Sequence, residues 1–233
     1  MERKIIGQLK SWKENPERKP LILLGARQVG KTWVMKHFGQ TEFQNVAYIN
    51  CDEEPLAKEL FAADYNIPRI LLTLQAITGT NIEAGKTLII FDELQEVERG
   101  LHSLKYFQEN APEYHVMAAG SLLGITLGKG QSFPVGKVNT MHLYPMDFEE
   151  FLMAAGEADL CNLLHQPDWK ILKILSTKYI DFLRQYYYVG GMPEVVDHFV
   201  QHHDLQEQRV IPVEVKAEEN VRARSMSEYI KNH

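Results

Sequence analysis

An α/β fold, with a parallel five-stranded sheet flanked by helices and a smaller helical part after it, is predicted by two observations. Short apolar runs of strand length alternate with helical-period stretches from residue 3 to about residue 145. The apolar runs are continuous rather than alternating with polar residues, as expected for strands covered on both faces.

Taken in order, residues 3–13 read as an amphipathic helix, with Ile5, Ile6, Leu9 and Trp12 on one face. "NPERKP" breaks it, and Leu21 to Leu24 form the first buried strand. "KTWVMKHF" is a helix expected to stop at Gly39. "VAYIN" (46–50) is the second strand, followed by helices around 55–61 and 67–77. "TLIIFDE" (87–93) is a strand ending in two acids, 101–110 a helix, 114–121 a strand, and "VNTMHLY" the fifth strand. "PMDFEEFLMAAG" and "DWKILKILSTKYIDFLRQYYYVGG" have helical period; the stretch after Gly191 is short, polar and His-rich, and "RVIPVEVKA" is strand-like. This organises the chain as 1–145, 146–200 and 201–233.

Composition narrows the function classes. The 233 residues are 45% hydrophobic and 24% charged, with a net charge of -6, which argues against a chain-wide electrostatic footprint for nucleic acid. Cys51 and Cys161 lie far apart with no metal-ligand spacing, consistent with a reducing, cytoplasmic setting. The N-terminus lacks the apolar core of a signal peptide, and no run approaches the roughly 18 apolar residues of a membrane span.

The chemistry is concentrated in two places. Gly25-Ala26-Arg27-Gln28-Val29-Gly30-Lys31-Thr32 matches G-x-x-x-x-G-K-[ST], with a strand before it and a helix after it, and these residues with Trp33 are the candidate nucleotide-binding set. The loop amides and the helix dipole suit phosphate, Lys31 suits the β- and γ-phosphates, and the Thr32 hydroxyl suits Mg²⁺. The bland alternative is a chance glycine loop, which the strand-loop-helix context disfavours. At the end of "LIIFDE", Asp92 is placed to hold Mg²⁺ and Glu93 to prime the attacking water. Ser121, ending the next strand, is either a γ-phosphate sensor or a plain strand cap, and Asn50 is a candidate to restrain Glu93 at rest.

Together "RKPLILLGARQVGKTW", "KTLIIFDELQE", "LKYFQENAPEYHVMAAGSLLG", "SFPVGKV", "LYPMDFEEFL" and "YYYVGGMPEVV" resemble the prokaryotic AAA-type P-loop ATPases that carry a C-terminal restriction-endonuclease-like domain. The likeness runs from residue 3 to about 200. It implies a P-loop NTPase of the additional-strand, catalytic-glutamate type and a small winged-helix-like subdomain. The expected ligands are ATP and Mg²⁺, and the expected activity is ATP hydrolysis coupled to an unknown partner or a nucleic-acid process; the alternative is a non-hydrolysing nucleotide-binding module left by truncation of a larger ATPase-nuclease protein.

Beyond residue 200 the chain departs from that family. Glu214 and Lys216 match an E-x-K half-site, but the segment separating them from "GGMPEVV" is too short for a domain and supplies no placed upstream acid; Asp204 has no assigned position. An internal deletion is the economical reading, with Glu214 and Lys216 left on a remnant strand that offers an unpaired edge.

Four cations, Arg27, Arg69, Arg99 and Lys137, are candidates for a finger delivered by a second copy, with Lys137 favoured. His198 and His202 are read as a solvated helix end rather than a metal site, Tyr186–Tyr188 as packing against the ATPase core rather than a nucleic-acid platform, and Lys216, Arg222, Arg224 and Lys231 as a solvated tail.

Overall fold

The computed structural model describes residues 3–61, 64–121 and 134–202. Glu214, Lys216, Asp204 and the basic tail lie outside the described residues, as does the Ser121 side chain.

Helix α1 (Ile5–Glu14) leads to β1 (Leu21–Gly25), α2 (Lys31–Glu42) and β2 (Asn45–Asn50). Then come α3 (Pro55–Leu60), α4 (Ile67–Thr78), β3 (Thr87–Asp92), α5 (Gly100–Asn110), β4 (His115–Ser121) and β5 (Asn139–Leu143). The five strands are all parallel, in the order β2-β3-β4-β1-β5. Every strand therefore points its C-terminal end to one edge, where open α/β sheets bind ligands. β4 lies between β1 and β3, so the loop after β1 and the acids after β3 face each other across the end of β4.

The continuous apolar runs are explained by two cores, one on each face of the sheet. Ile22, Leu24, Ile89, Phe91, Val116 and Ala118 point to the side covered by α3, α4 and α5. Leu21, Leu23, Leu88, Ile90, Met117 and Ala119 point to the side covered by α1 and α2. This is the period-two alternation of a strand with no polar face to show, because neither face meets water.

Helix α2 does not stop at Gly39 as the glycine suggested, but continues to Glu42. Tertiary packing overrides local propensity here: a Cβ on Gly39 would lie 2.7 Å from Val46 Cγ2, so the missing side chain lets α2 lie flat on β2.

At the far end of the same face, His115 is 6% exposed, with ring contacts to Trp12 at 5.9 Å and Phe43 at 5.0 Å. Its Nδ1 is buried without a hydrogen-bond partner. Burial, and then the nearby Arg18 guanidinium, push its pKa down to about 4. A depressed folded-state value means that its contribution is complete above the unfolded value near 6.5 and lost as pH falls from there through about 4. In urea unfolding, His115→Phe is expected to flatten the stability loss across that window by about 2 kcal/mol relative to the parent protein.

After the sheet the chain is helical: α6 (Phe148–Ala154), α7 (Ala158–His165), α8 (Trp169–Ile174), α9 (Ser176–Val189) and α10 (Pro193–His202). The single helical stretch expected over 168–191 is two helices, α8 and α9, meeting at Leu175. The segment after Gly191 is the helix α10. Met146, Phe151 and Val196 centre a separate core, with Phe148, Phe182, Tyr186 and Phe199 around them.

The three tyrosines point in different directions, and the packing expected against the ATPase core is found elsewhere. Tyr186 packs on Phe148 and Phe151 and donates to the Met146 carbonyl at 2.9 Å, inside this helical core rather than against the sheet. Tyr187 and Tyr188 are exposed, since adjacent helix positions point in different directions.

Candidate nucleotide-binding site

The glycine loop leaves β1 and enters α2 through Gly30, whose φ of +92° lies in the left-handed region that an L side chain resists. Gln28 also has positive φ, at 63°. The resulting turn faces a cavity of about 580 Å³ at the C-terminal edge of the sheet, lined by Arg27, Gln28, Gly30, Lys31, Thr32 and Trp33 from the loop and α2. Of the other loop residues, Val29 is fully buried and packs in the core over α1 and α2, Gly25 is buried at the end of β1, and Ala26 is exposed.

Lys31 is only 6% exposed, and its Nζ donates to the carbonyls of Gly25 at 3.0 Å and Ala26 at 2.8 Å. Two of the three ammonium donors are thus satisfied by the loop, and one remains for a ligand. Burial pushes the Lys31 pKa down, against the opposing pull of Glu93 and Asp92. The residue is a partly desolvated cation at the mouth of a phosphate-sized loop, an arrangement that an anion would relieve.

Across the end of β4, the Thr32 hydroxyl donates to Asp92 Oδ2 at 2.6 Å. Asp92 is 3% exposed and also accepts from Tyr48 OH at 3.1 Å and, at Oδ1, from the Glu93 amide at 3.1 Å. Burial and the Asp92 carboxylate both raise the Tyr48 pKa, so Tyr48 remains a neutral donor that fixes the acid.

Glu93 follows in a left-handed conformation, φ 50°, which turns its side chain off the strand and into the cavity. Its Oε2 accepts from the Gln95 side-chain amide. Asn50, expected to restrain Glu93, instead accepts from the Asp52 amide at 3.2 Å, closing its own Asx turn. Gln95 is the residue that sequence reasoning missed; only its position in the turn directly after the acid could have suggested it.

The register pairs Gly25 with Ser121, so the backbone of Ser121 stands beside the loop. Trp33 stacks on His37 at 4.6 Å and forms the outer wall. Asp52, Glu96 and Glu194 also line the cavity and had no signal in the sequence. Of the four cations, Arg27 lines this same cavity. Arg69 pairs with Asp64 at 2.7 Å, Lys137 with Glu109 at 2.8 Å, and Arg99 donates to Tyr65 OH at 3.1 Å.

Helix α10 reaches the loop from the helical part. A Cβ on Gly191 would lie 2.2 Å from the Met146 carbonyl, so the glycine permits the backbone crossing, closed by a Met146 N to Gly191 O bond of 2.7 Å. The crossing aims Pro193 at Gly30 and sets Glu194 in the cavity wall.

Arg3 joins the three parts. It is 4% exposed and donates to Glu150 Oε1 at 3.1 Å, the Val29 carbonyl at 3.1 Å and the Tyr144 carbonyl at 2.7 Å. Glu150 sits in the capping box that opens α6.

Comparison with known proteins places this geometry. Thermotoga maritima RuvB is similar in fold, with a TM-score of 0.50 and 12% identity over 84% of this chain and 59% of that one. The Drosophila ORC structure bound to DNA is 14% identical over 84% of this chain and 53% of that one, with a TM-score of 0.43. The chain thus spans less than two thirds of either protein. No curated protein matches the sequence. Among the described residues, no helix is long and apolar enough to cross a membrane. A model of the AAA domain family matches residues 17–152, more than half of the chain and all of the sheet, and the protein belongs to this family of nucleotide-binding P-loop ATPases.

Proposed function

We propose that the protein hydrolyses ATP to ADP and phosphate with the help of Mg²⁺, and that residues 1–145 form the unit that does so. The observation that carries this reading is the Thr32–Asp92 contact of 2.6 Å with Glu93 on the next residue. Two hard oxygen donors, one of them a buried carboxylate, meet beside a cavity lined by Thr32, Lys31 and Glu93. That donor set fits a hard divalent cation. Mg²⁺ held there would supply charge neutralisation to the β- and γ-phosphates.

The chain's own residues divide the remaining work. Amides of the loop from Gly25 to Gly30 and the N-terminus of α2 receive phosphate oxygens. Lys31 turns its third donor to the β/γ region. Glu93, released from Gln95, orients water and takes up its proton as the oxygen attacks the γ-phosphorus and the bond to the β-phosphate oxygen breaks. Ser121, whose backbone pairs with Gly25 beside the loop, is assigned the role of γ-phosphate sensor. Trp33 and α10, through Pro193 and Glu194, close the outer side. A cation from a second copy would complete the charge balance, and Lys137 would leave its ion pair with Glu109 to serve.

A non-hydrolysing nucleotide-binding module is the second reading. The hydrogen bond from Gln95 to Glu93 favours it, since it occupies the acid. Glu93→Gln separates the two. It is expected to keep ATP affinity within about threefold and to lower turnover at least about 100-fold, the scale on which general-base catalysis contributes. Wild-type turnover in that variant would remove Glu93 from the mechanism.

A further inference from the structure

Away from the cavity, α6 and α7 bring together three donors that the nucleotide chemistry does not use. Glu149 carboxylate oxygen, Cys161 Sγ and a His165 ring nitrogen lie within 4.8 Å of one another, the one such triad among the described residues. Cys161 and His165 are four apart on α7 and so share a face, while Glu149 reaches them from the first turn of α6. His165 Nε2 is already 3.3 Å from Glu149 Oε2. The site also already attracts a cation, because the Lys4 ammonium bridges Asp147, at 2.6 Å, and Glu149. The Lys4 side chain is 48% exposed and free to swing into water.

From this triad we propose a zinc-binding site in the helical part, with Glu149, Cys161 and His165 as ligands and solvent in the fourth position. A thiolate, an imidazole and a carboxylate are the ligand types Zn²⁺ takes, and one thiolate with one carboxylate balances its charge. Tetrahedral Zn²⁺ needs its ligand atoms roughly 3.5 Å apart, so the triad must contract by about 1 Å. His165 makes that possible, since its side chain is 62% exposed and can rotate inward about a backbone that stays put. Binding releases the Cys161 thiol proton to solvent and draws Glu149 away from Lys4, which ties α6 to α7 in place of the ion pair to the start of α1.

The test uses the full chain, reduced and without nucleotide, titrated with Zn²⁺ and separately with Co²⁺ as a visible stand-in. The expected result is one equivalent bound, with a thiolate-to-cobalt charge-transfer band. Cys161→Ser abolishes that band, His165→Ala weakens metal affinity at least about tenfold, and His198→Ala, at the stacked histidine pair on α10, changes neither. The band also separates this site from oxygen-only binding at Thr32 and Asp92. His165 is exposed, so its variant keeps the fold, and undiminished affinity in His165→Ala would overturn the proposal. So would the absence of stoichiometric binding by the parent chain.

Discussion

Lys31→Ala is expected to lower ATP affinity at least about 100-fold, equivalent to about 2.7 kcal/mol, while leaving the thermal unfolding midpoint nearly unchanged. The two halves of that result have one physical source. The Lys31 ammonium is almost fully removed from water, and burial disfavours its charged form. The folded protein therefore gains little from the charge itself, which two loop carbonyls only partly compensate. A phosphate is what makes the position favourable, through charge-assisted hydrogen bonds to the buried ammonium. Isothermal titration with ATP, alongside circular-dichroism melting of the same samples, measures both. A large fall in melting temperature with unchanged affinity would recast Lys31 as a structural residue.

Arg3→Ala is expected to have the opposite signature, a loss of about 3–5 kcal/mol in stability, or roughly 10 °C in melting temperature for a chain of this size. Removing the guanidinium leaves Glu150 buried without its countercharge and strips donors from the Val29 and Tyr144 carbonyls. The cost comes mainly from the stranded partner, so Glu150→Gln, which keeps an acceptor, is expected to cost less than half as much. Arg3→Lys is expected to rescue only in part, because one point charge cannot reach three acceptors in a planar fork. Because Arg3 also fixes the Val29 carbonyl inside the loop, Arg3→Ala weakens ATP binding as well. Denaturant unfolding of the three variants orders them; equal stability of Arg3→Ala and the parent would show the fork to be dispensable.

The contrast between these two residues marks how far the sequence could be read. Lys31 belongs to a pattern of fixed spacing whose chemistry is local, and Asp92 and Glu93 end a run of four apolar residues that is itself the signal for a buried strand. The alternation of strands and helices led to the sheet for the same reason: each element carries its own period. Arg3 meets Glu150 across 147 positions, and nothing near residue 3 marks it out from the charged residues beside it. Glu194 reaches the cavity and Pro193 the loop at Gly30 only because Gly191 lets two backbones cross, a contact invisible in one dimension. Gly39 misled because a glycine usually ends a helix, and its packing role against Val46 is decided by a neighbouring strand. The Cys161 and His165 spacing is present in the sequence, yet it gains a third ligand only when α6 folds back on α7.

The account rests most heavily on hydrolysis at the Thr32–Asp92–Glu93 end of the cavity, and steady-state ATP turnover across a range of protein concentrations tests it directly. The prediction is Mg²⁺-dependent phosphate release whose specific rate rises with concentration as a second copy supplies the missing cation. Tight ATP binding with no phosphate release at any concentration would contradict the proposed hydrolysis and leave a nucleotide-binding module in its place.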